Sequence, residues 1–108
     1  MSERQKIQKL LEEHKALFEA TNMDVTESVK GHWFFTRYNA EYDYFDAVAC
    51  FKTAQELAEI LLGEIALDIF STLDAESEEP LAYKNLVDGI EEADFYKPYV
   101  ERLMQYYS

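Results

Sequence analysis

Along the first twenty residues, apolar side chains recur three or four positions apart, which is the period of an amphipathic helix. This stripe consists of Ile7, Leu10, Leu11, His14, Leu17 and Phe18. Ser2 opens a Ser-x-x-Gln capping box immediately before it. The pattern predicts a first helix over residues 3–20, with His14 as a packed or edge-lying histidine on its apolar side.

The composition becomes strand-like between Trp33 and Phe51, where eight of the nineteen residues are aromatic. Asn39-Ala40 is a turn candidate, so the segment predicts an antiparallel hairpin with Trp33 opposite Asp46. In that register one face carries Val29, Trp33, Phe35, Tyr42, Tyr44, Val48 and Cys50, and the other carries Phe34, Phe45, Ala47, Ala49 and Phe51. Cys50, among apolar neighbours, is expected in the core. A helix from residue 40 onward is the alternative, because the alanines permit it.

Thr53 begins a second capping box, Thr-x-x-Glu, which predicts the start of a second helix. Its main apolar stripe is Ala58, Leu61, Leu62, Ile65, Ile69 and Leu73. A second stripe lies nearly opposite and consists of Ile60, Gly63, Leu67 and Phe70. A helix that is apolar on two sides is buried between layers or contacts another chain, so the second stripe is a candidate self-association surface.

Pro80 and Pro98 each suit the first turn of a further helix, where a missing N–H costs nothing. The element order is therefore α-β-β-α-α-α. An isolated hairpin is only marginally stable in water, so we expect it to pack on the helices. This predicts an α+β fold in a single domain over residues 1–108. If the segment from residue 40 is helical instead, the fold is all-α.

The formal net charge is −12, and the charge is unevenly distributed. The first 38 residues hold six acids and six bases, whereas the remaining 70 hold sixteen acids and four bases. A field of this sign repels phosphates and anionic lipid and attracts basic partners. We therefore expect neither direct nucleic-acid binding nor membrane association. A solvated face that only aids solubility is the alternative interpretation.

Cys50 is the only cysteine, which excludes an internal disulfide and favours a reducing compartment. The first residues lack the apolar stretch of a secretion signal, and no segment approaches the length of a membrane-spanning helix. These features predict a cytoplasmic protein.

Motifs for catalysis and cofactor binding are absent from the sequence. His14 and His32, the only histidines, lie at no metal-ligand spacing, and the three glycines form no phosphate-binding loop. We expect no metal, no cofactor and no enzymatic activity.

Acidic and aromatic residues together indicate an interaction protein that binds and blocks a basic partner, as inhibitors of nucleases, immunity proteins and antitoxins do. Electrostatic steering would speed the encounter, and tyrosines would supply the binding energy. The predicted partner-binding residues are Tyr38, Glu41, Tyr42, Asp43 and Tyr44 at the hairpin tip, and Glu56, Glu59, Glu64 and Asp68 on the second helix. The acidic segment 74–79 belongs to the same predicted surface.

Two alternatives remain open from the sequence. The first is a self-associating or adaptor protein without catalysis, such as a homodimer formed through the second stripe of the second helix or through paired hairpins. The second is a small-molecule-binding protein or enzyme with an aromatic pocket between hairpin and helices.

Overall fold

The computed structural model describes residues 2–72 and 95–107, except the side chains of residues 69–72 and 107. Two helices precede a three-stranded antiparallel sheet, and a long helix and a short C-terminal helix follow it. The α+β class is confirmed, and the all-α alternative is wrong. The chain divides into two compact units, Met1–Leu57 and Ala58–Ser108, which are described separately below. The expectation of a single domain stays a prediction.

Helix α1 spans Glu3–Glu13 and begins with the predicted capping box. The Gln5 amide donates to the Ser2 hydroxyl oxygen at 3.2 Å, and the Ser2 amide donates to the Gln5 side chain at 2.9 Å. Two of the backbone donors that a helix start leaves unpaired are thereby satisfied. Ile7 and Leu10 are fully buried, as the apolar stripe predicts.

The predicted continuous helix over residues 3–20 is interrupted at His14, and α2 spans Lys15–Thr21. His14 leaves helical geometry (φ −118°, ψ 19°), while its buried ring donates from Nδ1 to the Leu10 carbonyl at 2.7 Å. Asn22 then ends α2 in the left-handed conformation, with φ 56°. This residue type tolerates that conformation, and the chain turns there into the sheet.

The sheet has one strand more than the predicted hairpin. Strands β1 (Met23–Val29), β2 (His32–Asn39) and β3 (Tyr44–Phe51) lie in chain order, with β2 in the centre. The apolar pattern does not predict β1, because an inward position of this strand holds Glu27. That carboxylate accepts from the Gly31 amide at 3.1 Å and forms an ion pair with Arg4 of α1, so its inward position is compensated.

The register of β2 on β3 differs from the prediction. Trp33 pairs with Phe51 rather than Asp46, because the turn occupies Ala40–Asp43 and the pairing shifts between Arg37 and Tyr38. The difference of five positions is odd, so the β3 side chains from Ala47 to Phe51 lie on the face opposite to the one predicted relative to β2. Beyond the shift, Tyr44 and Phe45 pair with Asn39 and Tyr38 and keep their predicted faces.

The inner face of the sheet forms the core of the first unit. Its buried residues are Met23, Trp33, Phe35 and Phe51, which lie in register on the three strands. The rings of Trp33 and Phe51 stack with centroids 6.2 Å apart. Burying aromatic side chains of this size supplies much of the stabilisation available to so small a core.

Helix α3 spans Ala54–Thr72 and starts where the second capping box predicts. The Glu56 amide donates to the Thr53 hydroxyl oxygen at 3.1 Å. In the second unit, the predicted main stripe is buried as far as its side chains are described, at Ala58, Leu61, Leu62 and Ile65. The side chains of Ile69 and Leu73 lie outside the described residues.

Helix α4 spans Lys97–Met104, with Pro98 in its first turn as predicted, and a 3-10 turn over Gln105–Tyr107 follows it. Val100 and Leu103 are its buried residues. The Tyr96 hydroxyl donates to Asp68 of α3 at 2.9 Å within the same unit. The helix predicted from Pro80 and the acidic segment 74–79 lie outside the described residues.

Candidate interaction surface

The turn between β2 and β3 is organised by the side chain of Asn39. Its Oδ1 atom accepts hydrogen bonds from the backbone amides of Glu41 and Tyr42, at 3.0 Å and 3.1 Å. Its Nδ2 atom donates to Asp46 at 3.2 Å. An asparagine that bonds to amides two and three residues on holds its turn in one backbone conformation, so the turn is preorganised.

The far side of the turn is held by Asp43. This residue has φ 56°, a left-handed conformation that aspartate adopts more readily than most residues. Its carboxylate accepts a hydrogen bond from the Tyr38 hydroxyl. The same carboxylate raises the pKa of Tyr38, because the hydrogen bond favours the protonated phenol.

Aromatic side chains surround this framework and remain accessible. Tyr42, Tyr44 and Phe45 are 66%, 51% and 56% exposed. The rings of Tyr42 and Tyr44 lie 6.2 Å apart, and Tyr38 meets Phe45 edge-on at 5.4 Å. Exposed aromatic rings fixed by neighbouring rings provide contact area at a low entropic cost.

The charge of the turn is uniformly negative. Glu41, Asp43 and Asp46 lie within it or beside it, and the sequence holds no lysine or arginine from Tyr38 to Phe51. The charge of Asp46 raises the pKa of Tyr44. All five tip residues predicted for partner binding are therefore exposed and close together.

The four acidic residues predicted on α3 are divided in exposure. Glu56 and Glu59 are exposed, whereas Glu64 and Asp68 are half-buried. Asp68 accepts the hydrogen bond from Tyr96, so it has a structural contact within the second unit. The turn is therefore the better-defined acidic surface.

The second stripe of α3 is the predicted self-association surface. Ile60 and Gly63 are half-buried, Leu67 is 62% exposed, and the side chain of Phe70 is not described. Among described residues, nothing lies within 4 Å of where a Cβ atom on Gly63 would stand. The second stripe is therefore not closely packed at this glycine within that part of the chain.

The outer face of the sheet carries a group of exposed apolar residues that the sequence did not reveal. Its exposed apolar residues are Val29, Phe34, Tyr38, Phe45, Val48 and Cys50. Cys50 was expected in the core, and Val48 and Val29 were expected on the face of Trp33. The observed register places all three residues on the outer face instead. Strand alternation indicates this face only when the bulge and the true turn are known.

The described residues also form hollows that a small ligand could enter. A hollow of about 340 Å³ at the end of β2 is bordered by His32, Phe34, Cys50, Lys52 and Glu56 among others. Within residues 2–72 and 95–107, no three side chains of the metal-binding types are grouped closely enough to hold an ion. None of the helices in these ranges combines the length and hydrophobicity that crossing a bilayer requires.

No protein-family model matches the chain, and comparisons with curated proteins and with solved structures give no match. Conclusions about function therefore depend on the surface described above.

Proposed function

We propose that the protein is a protein-binding module that captures a basic protein partner through the β2–β3 turn. The observation that supports this proposal is the combination found there: exposed tyrosines on a hydrogen-bonded turn that carries only negative charge. The fitting partner is one with a lysine- or arginine-rich surface, such as a nuclease or a toxin. In this role the protein is an inhibitor of the immunity or antitoxin type and performs no catalysis.

The physical contributions to such binding differ between the two residue types. The carboxylates, together with the net charge of −12, accelerate the encounter with a basic surface. Tyr42 and Tyr44 then supply the buried contact area, as tyrosines do in interface hot spots. Because Asn39 already fixes the turn, little backbone entropy is lost on binding.

An exposed, unpaired Cys50 also suits a reducing compartment, and the cytoplasm is the proposed location.

The test compares three forms of the purified, immobilised protein in capture from lysate of the source organism. The first is the wild type, and the second carries Glu41→Lys and Tyr42→Ala. The third carries Glu19→Lys, a charge reversal on an exposed position of α2 that serves as the control. Asp43 is left unchanged because of its left-handed backbone and its bond to Tyr38.

A basic protein captured in near-equal amount by the wild type and the control, and lost with the turn variant, is the expected result. Its association should also slow as salt rises, because screening weakens steering. Equal capture by all three forms would assign binding to another surface. Capture of no basic protein by the wild type would contradict the proposal.

A further inference from the structure

The outer face of the sheet carries its apolar residues mainly on β2 and β3, whereas β1 contributes the exposed polar residues Asp24 and Thr26 beside them. Val48, Val29 and Phe45 are 63%, 62% and 56% exposed, and Phe34 and Tyr38 are each 37% exposed. Cys50 lies opposite Phe34 in the same face. Contiguous apolar surface of this kind on a folded domain marks an interaction site.

The two ends of this face carry opposite charge. At one end, the acidic turn places Glu41 and Asp43 beside Tyr38. At the other end lie Lys30, in the β1–β2 turn, and Lys52, which follows β3. Glu56 also borders the hollow beside Lys52, which reduces the positive charge of this end without reversing it.

We propose that a second copy of this chain docks on the outer face, sheet against sheet, with the strands of the two copies reversed end for end. A two-fold axis that runs across the strands places the acidic turn of each copy over the lysines of the other. An axis parallel to the strands would place acid on acid and lysine on lysine. The charge layout therefore favours the first arrangement. Because the contact is isologous, the favourable contact between an acidic turn and the lysines occurs twice in the dimer.

The apolar middle of the face suits this contact. Two sheets pack face to face at about 10 Å with interdigitating side chains, and their strands align within about 30° because each sheet is twisted. Phe34, Val48 and Phe45 are the residues that such packing would bury. Isolated surface charges contribute little, so we assign the affinity to the apolar residues and the orientation to the charges.

This inference goes beyond the proposed function and bears on its regulation. In the dimer, Lys30 and Lys52 of the second copy offer the turn the same chemistry as a basic protein partner. Self-association and partner capture would then compete for the turn. Self-association is measured on the purified chain alone, so its failure and the failure of the proposed function are separable.

The first experiment is sedimentation equilibrium of the purified full chain at low salt, from micromolar to millimolar concentration. Val48→Lys and Leu67→Lys form a matched pair, because the two residues are 63% and 62% exposed and receive the same side chain. We expect a concentration-dependent dimer that Val48→Lys weakens by about tenfold or more, which corresponds to about 1.4 kcal/mol. Leu67→Lys should leave it unchanged. Circular dichroism checks that both variants fold.

The second experiment exchanges charges between the two ends. Lys52→Glu and Glu41→Lys should each weaken the dimer, and the double variant should recover much of the lost affinity. Lys52→Glu should leave the capture of a basic protein intact, which distinguishes the two proposals. A wild type that stays monomeric, a dimer lost with Leu67→Lys but kept with Val48→Lys, or a double variant weaker than both single ones would overturn the inference.

Discussion

The hydroxyl of Tyr38 donates a hydrogen bond to the carboxylate of Asp43, joining the end of β2 to the last residue of the turn. Asp43 has a left-handed backbone there, and Tyr38 packs edge-on against Phe45. The contact therefore connects the acidic tip to the aromatic side chains at the start of β3. It also couples the tip to pH, because the bond requires the protonated phenol.

We expect Asp43→Asn to lower the pKa of Tyr38 towards its ordinary value of about 10. Asparagine keeps the left-handed backbone but removes the charge that favours the protonated phenol. The stabilisation from this bond should be complete below the ordinary tyrosine pKa and be lost as pH rises through the raised one. NMR titration of ring-labelled tyrosine measures the change.

Asp46→Asn is the matched control, because it should lower the pKa of Tyr44 and leave the pKa of Tyr38 unchanged. If the pKa of Tyr38 is the same in the wild type and in the Asp43→Asn variant, the carboxylate of Asp43 is not the cause of the shift.

The pKa of Glu27 is lowered by the hydrogen bond from the Gly31 amide and by Arg4. A depressed carboxylate pKa stabilises the fold above the ordinary glutamate value of about 4.3, and this contribution is lost as pH falls through the lowered pKa. We expect Glu27→Gln to reduce the melting temperature at neutral pH. The difference from the wild type should shrink as the solution is acidified.

Thermal unfolding monitored by circular dichroism at several pH values tests this expectation. Glu12→Gln, at an exposed position of α1, is the control and should follow the wild type throughout. A difference for Glu27→Gln that is as large in acid as at neutral pH would show that its charge is not responsible.

Neighbouring phenylalanines on β2 test which face of this strand is buried. Phe35 is fully buried, whereas Phe34 is 37% exposed on the outer face. Phe35→Ala should lower the free energy of unfolding by about 3–5 kcal/mol. Phe34→Ala should cost about 1 kcal/mol, because much of its ring already contacts water. Urea unfolding measures both, and the reverse order would mean that β2 has the opposite face inward.

Two leucines of α3 provide a similar comparison. Leu61 is fully buried and Leu67 is 62% exposed. We expect Leu61→Ala to cost about 2–5 kcal/mol and Leu67→Ala to remain within about 0.5 kcal/mol of the wild type. Denaturant titration measures the free energy of unfolding of both variants, with the same dependence on denaturant concentration assumed for each. Similar losses at both positions would indicate that the exposed side of α3 is buried in solution.

The features that sequence predicts correctly are those encoded within a few residues. The capping residues Ser2 and Thr53 and the first-turn proline Pro98 each act on the adjacent backbone, so they are readable without tertiary information. The buried stripe of α3 is equally local, because helical period alone determines its face.

The features that sequence misses depend on contacts between distant residues. β1 is obscured because Glu27 occupies an inward position, and its partner Arg4 lies on another element. The register of β3 depends on a bulge and on the bonds of Asn39, neither of which apolar alternation reveals. The position of the tip residues at the end of the hairpin was predicted, and their role in binding stays a prediction. The outer apolar residues could not be predicted, because they depend on the register of β3.

The bulge opposite Arg37 and Tyr38 separates β3 into two parts with different freedom to change. Between the bulge and the end of β3, the alternation of buried and exposed side chains is fixed by the packing of Phe51 in the core. On the side of the tip, the bulge already accommodates one extra residue. A tip that gains or loses residues can therefore be accommodated without exchanging the buried and exposed faces of the segment that holds Phe51. The tip can therefore diversify in length and sequence among descendants of this chain while the core side of the sheet is retained.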